Sequence, residues 1–217
     1  AAAQISHALK EQFAPFLPTV IPPLLHTLGM ATEVSITEVD ASTELSGTGA
    51  QASYQTASGQ TMESTIFQAR GGNKMRLTMN TTAVMEKQMA AKTLFEYINA
   101  LGVTMVEYIE AAAEKILPLV IFKYSEDVRN SAAFCCSKIF AAAVEAARPV
   151  AANNNAPLRP PQFAAQLLNP FVEQLLTGIK GEIHAEPRAC MSEALRDILQ
   201  VCQHSILQLS GHLSTLA

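Results

Sequence analysis

The side chains best suited to acid–base chemistry are scattered along this sequence. Five histidines occur in helix-like segments or turns: His7, His26, His184, His204 and His212. Catalysis needs a nucleophile, a base and an orienting group brought together, and an isolated histidine on a helix is usually solvated or structural. The sequence therefore predicts no catalytic residue and no enzymatic activity.

The cysteines give equally weak support for a metal site. They are Cys135, Cys136, Cys190 and Cys202, and their spacings match no zinc-binding pattern. Cys202 and His204 are close in sequence, but together with Cys190 they fit no standard ligand spacing. Residues 71–74 lack the frame of a phosphate-binding loop. We predict no metal, no cofactor, and reduced thiols that are buried or half-buried.

The composition indicates which classes of partner this chain is not expected to bind directly. The chain has 217 residues, of which 49% are hydrophobic but only 6% aromatic, and its net charge is -4. It contains no dense basic cluster and no apolar run long enough to span a membrane. Small and unbranched apolar side chains suit closely packed helices. We therefore expect a helical protein that contacts neither nucleic acid nor a membrane directly.

Apolar residues at helical spacing cover most of the chain. The spacing predicts helices at about residues 81–101, 109–124, 161–181 and from 186 onward, and two short helices within residues 1–30. A further helix begins after Ser125, a candidate N-cap with acids in the following turn. Residues 148–160 are predicted to be a linker.

Residues 31–80 interrupt this pattern because they are rich in Ser, Thr, Gly and Gln. We expect a polar insert that is partly disordered over residues 31–62, with a weak hairpin formed by residues 64–69 and 74–79. Its first part contains four acids and no base: Glu33, Glu38, Asp40 and Glu44. Such a segment could screen a basic partner or compete with it.

An internal repeat organises the helical part. Residues 114–139 align without a gap with residues 173–198, at an offset of 59. Glu114 then corresponds to Glu173, and Leu117 corresponds to Leu176. Helix pairs that cannot bury their own apolar faces do so by stacking. The register places Leu176 in a shared interface, so that Leu176→Asp is expected to unfold the second half.

The repeat also aligns two polar turns. Asp127 corresponds to Glu186, and Arg129 corresponds to Arg188. In the favoured interpretation the acid caps the first helix, and the arginine bridges to an acid or carbonyl of the neighbouring repeat. The alternative is a ladder of charges that faces a ligand.

Several of these segments resemble a known family. Residues 117–133, LPLVIFKYSEDVRNSAA, resemble the junction between two HEAT repeats. Residues 80–133 resemble the importin beta (karyopherin beta) nuclear transport receptors, in the importin five or karyopherin beta three branch. The residues that carry this resemblance are 81–87, Tyr97, 106–108, 117–119 and 127–129.

The resemblance implies an all-α fold, a HEAT-repeat solenoid of stacked antiparallel helix pairs with the insert at about residues 31–80. The chain would be a single fragment of a longer solenoid, with helix pairs at residues 1–30, 81–124 and 125–181 and a partial repeat at 182–217. The second helix of each pair lines the concave side in such stacks. The exposed polar positions there would be Glu110, Glu114, Gln166, Asn169 and Glu173, which form either an acidic groove for Lys- and Arg-rich segments or a merely solvated face.

The resemblance also implies a function. The parent protein would carry protein cargo through the nuclear pore, bind the GTPase Ran and phenylalanine-glycine nucleoporins, and occur in cytoplasm and nucleus. The alternative is a HEAT scaffold subunit of a phosphatase or of another multiprotein complex.

Overall fold

A computed structural model describes residues 2–39, 49, 51–69, 72–148, 157–160 and 162–214, with side chains up to residue 203. The chain divides into two compact units. One combines Ala1–Gly29 with Gln88–Ala217 and is helical. The other, Met30–Lys87, contains a β-sheet. The predicted linker falls mostly outside the described residues, as do Asp40 and Glu44.

The helices follow the predicted order, with three interruptions by 3-10 segments. They are α1 (Ala2–Leu9), α2 (Leu17–Gly29), α3 (Thr81–Leu101), α4 (Ile109–Ile116), α5 (Glu126–Ala146), α6 (Gln162–Gly181) and α7 (Ala185–Ser214). The 3-10 segments are Lys10–Phe16, Gly102–Tyr108 and Leu117–Ile121. The last contains a proline at its start, so the single helix predicted at residues 109–124 ends as α4 and continues as the tighter form.

Contacts within the helical unit form two rows. In the first row, the ring of Phe13 stacks on that of Tyr97 in α3 at 5.6 Å, the thiol of Cys135 in α5 donates to the Ala91 carbonyl of α3, and α5 packs along α7. In the second row, α2 contacts α4, and α6 contacts the 3-10 segment that follows α4. Phe140 and Phe171 meet edge to face at 6.3 Å and join α5 to α6 across the two rows.

Local sequence explains where α5 begins. Ser125 is extended, and its hydroxyl oxygen accepts a hydrogen bond from the Val128 amide at 3.3 Å. Glu126 and Asp127 place negative charge in the first turn, where the helix dipole favours it. The N-cap predicted at Ser125 is therefore confirmed.

The 59-residue register is also confirmed, by burial. Six aligned pairs are buried at both positions: 116 with 175, 119 with 178, 128 with 187, 132 with 191, 135 with 194, and 139 with 198. The same register corrects one prediction. Leu175 is fully buried, whereas Leu176 is 39% exposed, so Leu176 is not the interface position. Adjacent leucines point about 100° apart on a helix, and only packing decides which one is covered.

The all-α prediction is only approximate, because Met30–Lys87 contains a four-stranded antiparallel sheet. Its strands are β1 (Val34–Glu38), β2 (Gln51–Gln55), β3 (Thr61–Gln68) and β4 (Lys74–Asn80), in the order β1-β4-β3-β2. The predicted hairpin is β3–β4, with Gln68 opposite Lys74 and Gly72 at a positive φ in the turn. Partial disorder was expected within residues 31–62, and the described part of that range contains β1 and β2, which pair along their whole length.

Asn80 connects the sheet to the next helix. It is the last residue of β4, and its side-chain oxygen accepts a hydrogen bond from the Ala83 amide at 3.0 Å, which caps α3. The Thr61 amide donates to the hydroxyl of Thr82 at 2.8 Å, and the Thr81 hydroxyl donates to the Thr61 carbonyl at 3.1 Å. These bonds fix the start of α3 against β3.

Candidate functional site

A buried polar arrangement in the helical unit lies where the two aligned turns meet. Arg129 Nε donates to Glu182 Oε2 at 2.5 Å and its Nη2 donates to Glu182 Oε1 at 3.2 Å. Its Nη1 donates to the Phe122 carbonyl at 2.9 Å. The side chains of Arg129 and Glu182 are only 10% and 4% exposed. This bidentate pair joins residues 53 positions apart and ties the turn before α5 to the turn before α7.

Glu182 also organises its own turn. Its Oε1 accepts hydrogen bonds from the amides of Ile183 and His184, both at 3.0 Å. Burial by itself would raise the pKa of this carboxyl. The hydrogen bonds from the His184 amide and from Arg129, together with the Arg129 charge, outweigh burial, so that the pKa of Glu182 is lowered. Glu182 is therefore held as a carboxylate that is satisfied on both oxygens.

Further contacts surround this pair. Asn130 Nδ2 donates to Glu186 Oε1 at 3.2 Å, and His184 Nδ1 lies 3.0 Å from Glu126 Oε1. Arg188 donates from Nη2 to the Glu182 carbonyl. The Asn130 side-chain oxygen is buried without a partner among the described residues. The arrangement is a polar clasp between two turns rather than an open catalytic pocket.

The predicted turn residues occupy different environments. Arg129 is buried, whereas Asp127, Glu186 and Arg188 are exposed. Arg129 and Arg188 each donate to a carbonyl of the turn before their own helix. Only Arg129 meets a carboxylate from the following turn, and that carboxylate belongs to Glu182.

Sequence reasoning did not identify Glu182. Its counterpart in the 59-residue register is Lys123, so the alignment of the two turns contained no shared acid at this position. The available signal was weaker, a carboxylate directly after Gly181 at the end of α6.

The five polar positions predicted to bind a partner are all exposed on the second-row helices. Glu110 and Glu114 lie one turn apart on α4, and Gln166, Asn169 and Glu173 lie at spacings of three and four on α6. The Glu114 side chain is 72% exposed, and its Oε1 accepts from Lys115 Nζ at 2.7 Å. The 3-10 segment that continues from α4 contacts α6, so this segment links the two helices that carry the two sets. Three carboxylates and two amides there can accept hydrogen bonds from Lys and Arg side chains.

Metal-ligating side chains are not clustered in the described part of the chain, and its two adjacent cysteines are buried. No group of three or more His, Cys, Asp or Glu side chains there is placed to hold a metal ion. Cys135 and Cys136 are fully buried, and burial raises the pKa of both thiols. Within the same residues, no helix is long and apolar enough to cross a membrane.

Comparisons with known proteins identify the fold. No family model matches the sequence, and no curated protein matches it. Solved structures of Kap121p do match. Kap121p bound to Nup53p is 20% identical with a TM-score of 0.64, and it covers 92% of this chain and 17% of its own. The karyopherin Kap121p bound to the extreme C-terminus of the protein phosphatase Cdc14p has a TM-score of 0.66 at 20% identity, with the same coverage. Kap121p alone has a TM-score of 0.63 at 19% identity.

These matches show that the chain has the karyopherin fold, a mostly helical repeat solenoid that here also carries a small antiparallel sheet. The chain spans about 17% of the length of the Kap121p chains it matches.

Proposed function

We propose that this chain is a protein-binding segment of a nuclear import receptor of the karyopherin type. The observation that carries the proposal is the likeness to Kap121p over 92% of the chain, in structures that hold Kap121p bound to Nup53p, Ste12p and Ulp1p. A solenoid of stacked helix pairs offers a long continuous surface for protein partners.

The proposed cargo surface is the set of second-row positions Glu110, Glu114, Gln166, Asn169 and Glu173. Their exposure on two helices that are linked through one 3-10 segment supports this assignment. Glu110 and Glu114 lie one helical turn apart on α4 and Glu173 lies on α6, so a basic segment that crosses both helices would meet a carboxylate on each. Association with a Lys- and Arg-rich cargo segment would then be fast and sensitive to salt.

The finer parts of the proposal follow the resemblance to the importin five or karyopherin beta three branch. The parent receptor would bind Ran and phenylalanine-glycine nucleoporins and move between cytoplasm and nucleus. A pull-down by GTP-loaded Ran with the full-length parent separates this role from that of a HEAT scaffold in a phosphatase or another complex. Retention by Ran-GTP supports the transport receptor. A parent protein that does not bind Ran-GTP but copurifies with a phosphatase catalytic subunit would support the scaffold role.

The cargo surface has a direct test in this chain. Binding of a fluorescent Lys/Arg-rich peptide is compared between the wild type and the triple variant Glu110→Gln, Glu114→Gln, Glu173→Gln. Exposed charge pairs contribute about 0.2–1 kcal/mol each, so the affinity should fall about tenfold and lose part of its salt dependence.

The matched control is Glu11→Gln, Glu86→Gln, Glu193→Gln, which removes the same charge from other exposed positions. The control should bind within about twofold of the wild type. Equal loss in both triple variants would mean that net charge, and not this surface, attracts the peptide.

A further inference from the structure

One face of the sheet carries apolar side chains that remain open. The register places Val34, Met79, Glu63 and Ser53 in one row, Ile36, Leu77, Thr65 and Gln51 in the next, and Glu38, Met75 and Phe67 in the third. Residues directly opposite each other on antiparallel strands point to the same side. This side is called the open face below.

The two sides of the sheet differ in burial along strand β3. On the open face Ile36 is 57% exposed and Phe67 is 37% exposed, and none of its residues is buried. On the opposite side of the same strand β3, Ser64 and Ile66 are only 9% and 3% exposed. A sheet normally buries its apolar side, so an apolar side on which two residues are exposed and four are only half-buried indicates a binding surface. The six are Val34, Ile36, Phe67, Met75, Leu77 and Met79.

Charge gives the chemistry of the partner. The charged strand residues on the open face are both acids, Glu38 beside Met75 and Glu63 beside Met79, and both are exposed. The basic strand residues Lys74 and Arg76 belong to the opposite side. The apolar cluster thus has a carboxylate at each of two diagonal corners.

We propose that the open face docks an amphipathic helix of a partner protein, with an apolar stripe and a basic residue near each end. The apolar cluster spans β1, β4 and β3, so a helix lying across the sheet covers it, whereas a strand added at an edge does not. Glu38 and Glu63 are two strands and four residues apart, which corresponds to about 17 Å. That distance is about 11 residues, or three turns, of helix.

This surface goes beyond the cargo surface proposed above, and it needs neither Ran nor the second-row carboxylates. It lies entirely within Met30–Lys87. The two proposals can therefore fail independently, because the Glu110, Glu114 and Glu173 substitutions should leave peptide binding to the open face unchanged.

The probe is a fluorescent helix-forming peptide of about 16 residues, with leucines at spacings of three and four and two lysines about 11 residues apart. Fluorescence anisotropy with the intact 217-residue chain measures its affinity. Ile36→Thr keeps a β-branched residue on the strand and should weaken binding about tenfold. Tyr54→Thr is the matched control, since Tyr54 is 52% exposed but points to the other side. It should bind like the wild type.

The double variant Glu38→Gln, Glu63→Gln should also weaken binding about tenfold and reduce its salt dependence. A peptide with glutamates in place of the two lysines should bind at least about tenfold more weakly than the lysine peptide. Equal binding of the two peptides, or wild-type affinity in Ile36→Thr, would overturn the proposal.

The same peptide and variants also distinguish two alternative occupants of the open face, an added strand and a second copy of the chain. Ser53→Pro removes a backbone donor from the edge strand β2. Loss of peptide binding in Ser53→Pro but not in Ile36→Thr would mean strand addition at the edge and would refute helix docking. Sedimentation velocity should show a monomer, and a dimer that Ile36→Thr dissociates would assign the face to a second copy of the chain instead.

Discussion

Helices α5 and α7 have the same apolar pattern, yet they differ in how much of their surface is buried. Positions 128, 132, 135 and 139 of α5 are buried, as are their counterparts 187, 191, 194 and 198 of α7. On α5 a second set is buried as well: Arg129, Asn130, Ala133, Cys136 and Ser137. The counterparts on α7 are half-buried at Leu195 and exposed at Arg188, Ala189, Ser192 and Arg196.

The two helices differ in burial because different elements pack against them, and not because one forms a helix more readily. Helix α5 packs along α7 and also contacts α6 and two 3-10 segments, whereas α7 has α5 and α6 beside it. A helix between two neighbours requires small or paired side chains on both sides, and α5 has Ala133, Cys136 and the Arg129–Glu182 pair there. The equivalent side of α7 carries polar side chains because no described residue covers that side.

The largest expected effect comes from putting a charge into the second buried side of α5. Ala133→Glu buries a carboxylate without a partner and overpacks the interface, which should cost more than about 5 kcal/mol and abolish cooperative unfolding. Ser192→Glu is the change at the equivalent position of α7 and should alter stability by less than about 0.5 kcal/mol. Thermal unfolding followed by circular dichroism compares the two. Similar melting curves would contradict the two-sided burial of α5.

The next largest effect tests the clasp between the turns. Arg129→Ala leaves the Glu182 carboxylate buried without its partner and should cost about 3–5 kcal/mol. Arg188→Ala, at the equivalent position, loses an exposed contact and should cost less than about 1 kcal/mol. Urea denaturation gives both free energies of unfolding. If the two alanine substitutions lower the free energy of unfolding equally, the buried pair contributes no more to stability than a surface contact.

A smaller effect is expected where α6 approaches α7. A Cβ at Gly178 would meet Met191 Sδ at 2.7 Å and Val120 Cγ1 at 3.2 Å. Gly178→Leu introduces the residue found at position 119 of the register, and overpacking should destabilise the protein by about 1–3 kcal/mol. Gly181→Leu is the control, because no atom lies within 4 Å of a Cβ there. Gly181→Leu should unfold at or slightly above the wild-type urea midpoint, and an equal loss in both variants would rule out the close approach.

The smallest expected effect is the pH dependence that arises from Glu182. Its pKa is lower in the folded chain than the ordinary value of 4.5. Its contribution to stability is therefore fully present above pH 4.5 and is lost as pH falls from there through the lower folded pKa. Glu182→Gln should be less stable than the wild type at neutral pH, and the difference should shrink on acidification. Urea midpoints at several pH values measure this, and a constant difference would show that the Glu182 charge is not the cause.

Several features could be predicted from sequence because they depend on local spacing. The helix order, the N-cap at Ser125 and the β3–β4 hairpin follow from residues near one another in the chain, and the 59-residue register follows from comparing two such local patterns. The strand β1 could not be predicted in this way, because Val34 pairs with Met79 across a long separation. The five residues of β1 and the five of β2 are too few to form a distinctive pattern alone.

The residues of the candidate sites also divide into those that local spacing predicts and those that it does not. Exposure of Glu110, Glu114 and Glu173 could be expected from helical periodicity. The partner of Arg129 could not, since Glu182 has no counterpart in the aligned turn. The choice between Leu175 and Leu176 also required the packing of α6.

The sequence by itself determined a helical repeat with an insert, because apolar periodicity and capping act within a few residues. Only the tertiary structure decided which sides of α5 and α7 are covered, which carboxylate holds Arg129, and that the polar insert is a sheet with one open apolar face. Those features arise from contacts between residues far apart in the chain, where burial and charge pairing depend on neighbours that no local pattern specifies.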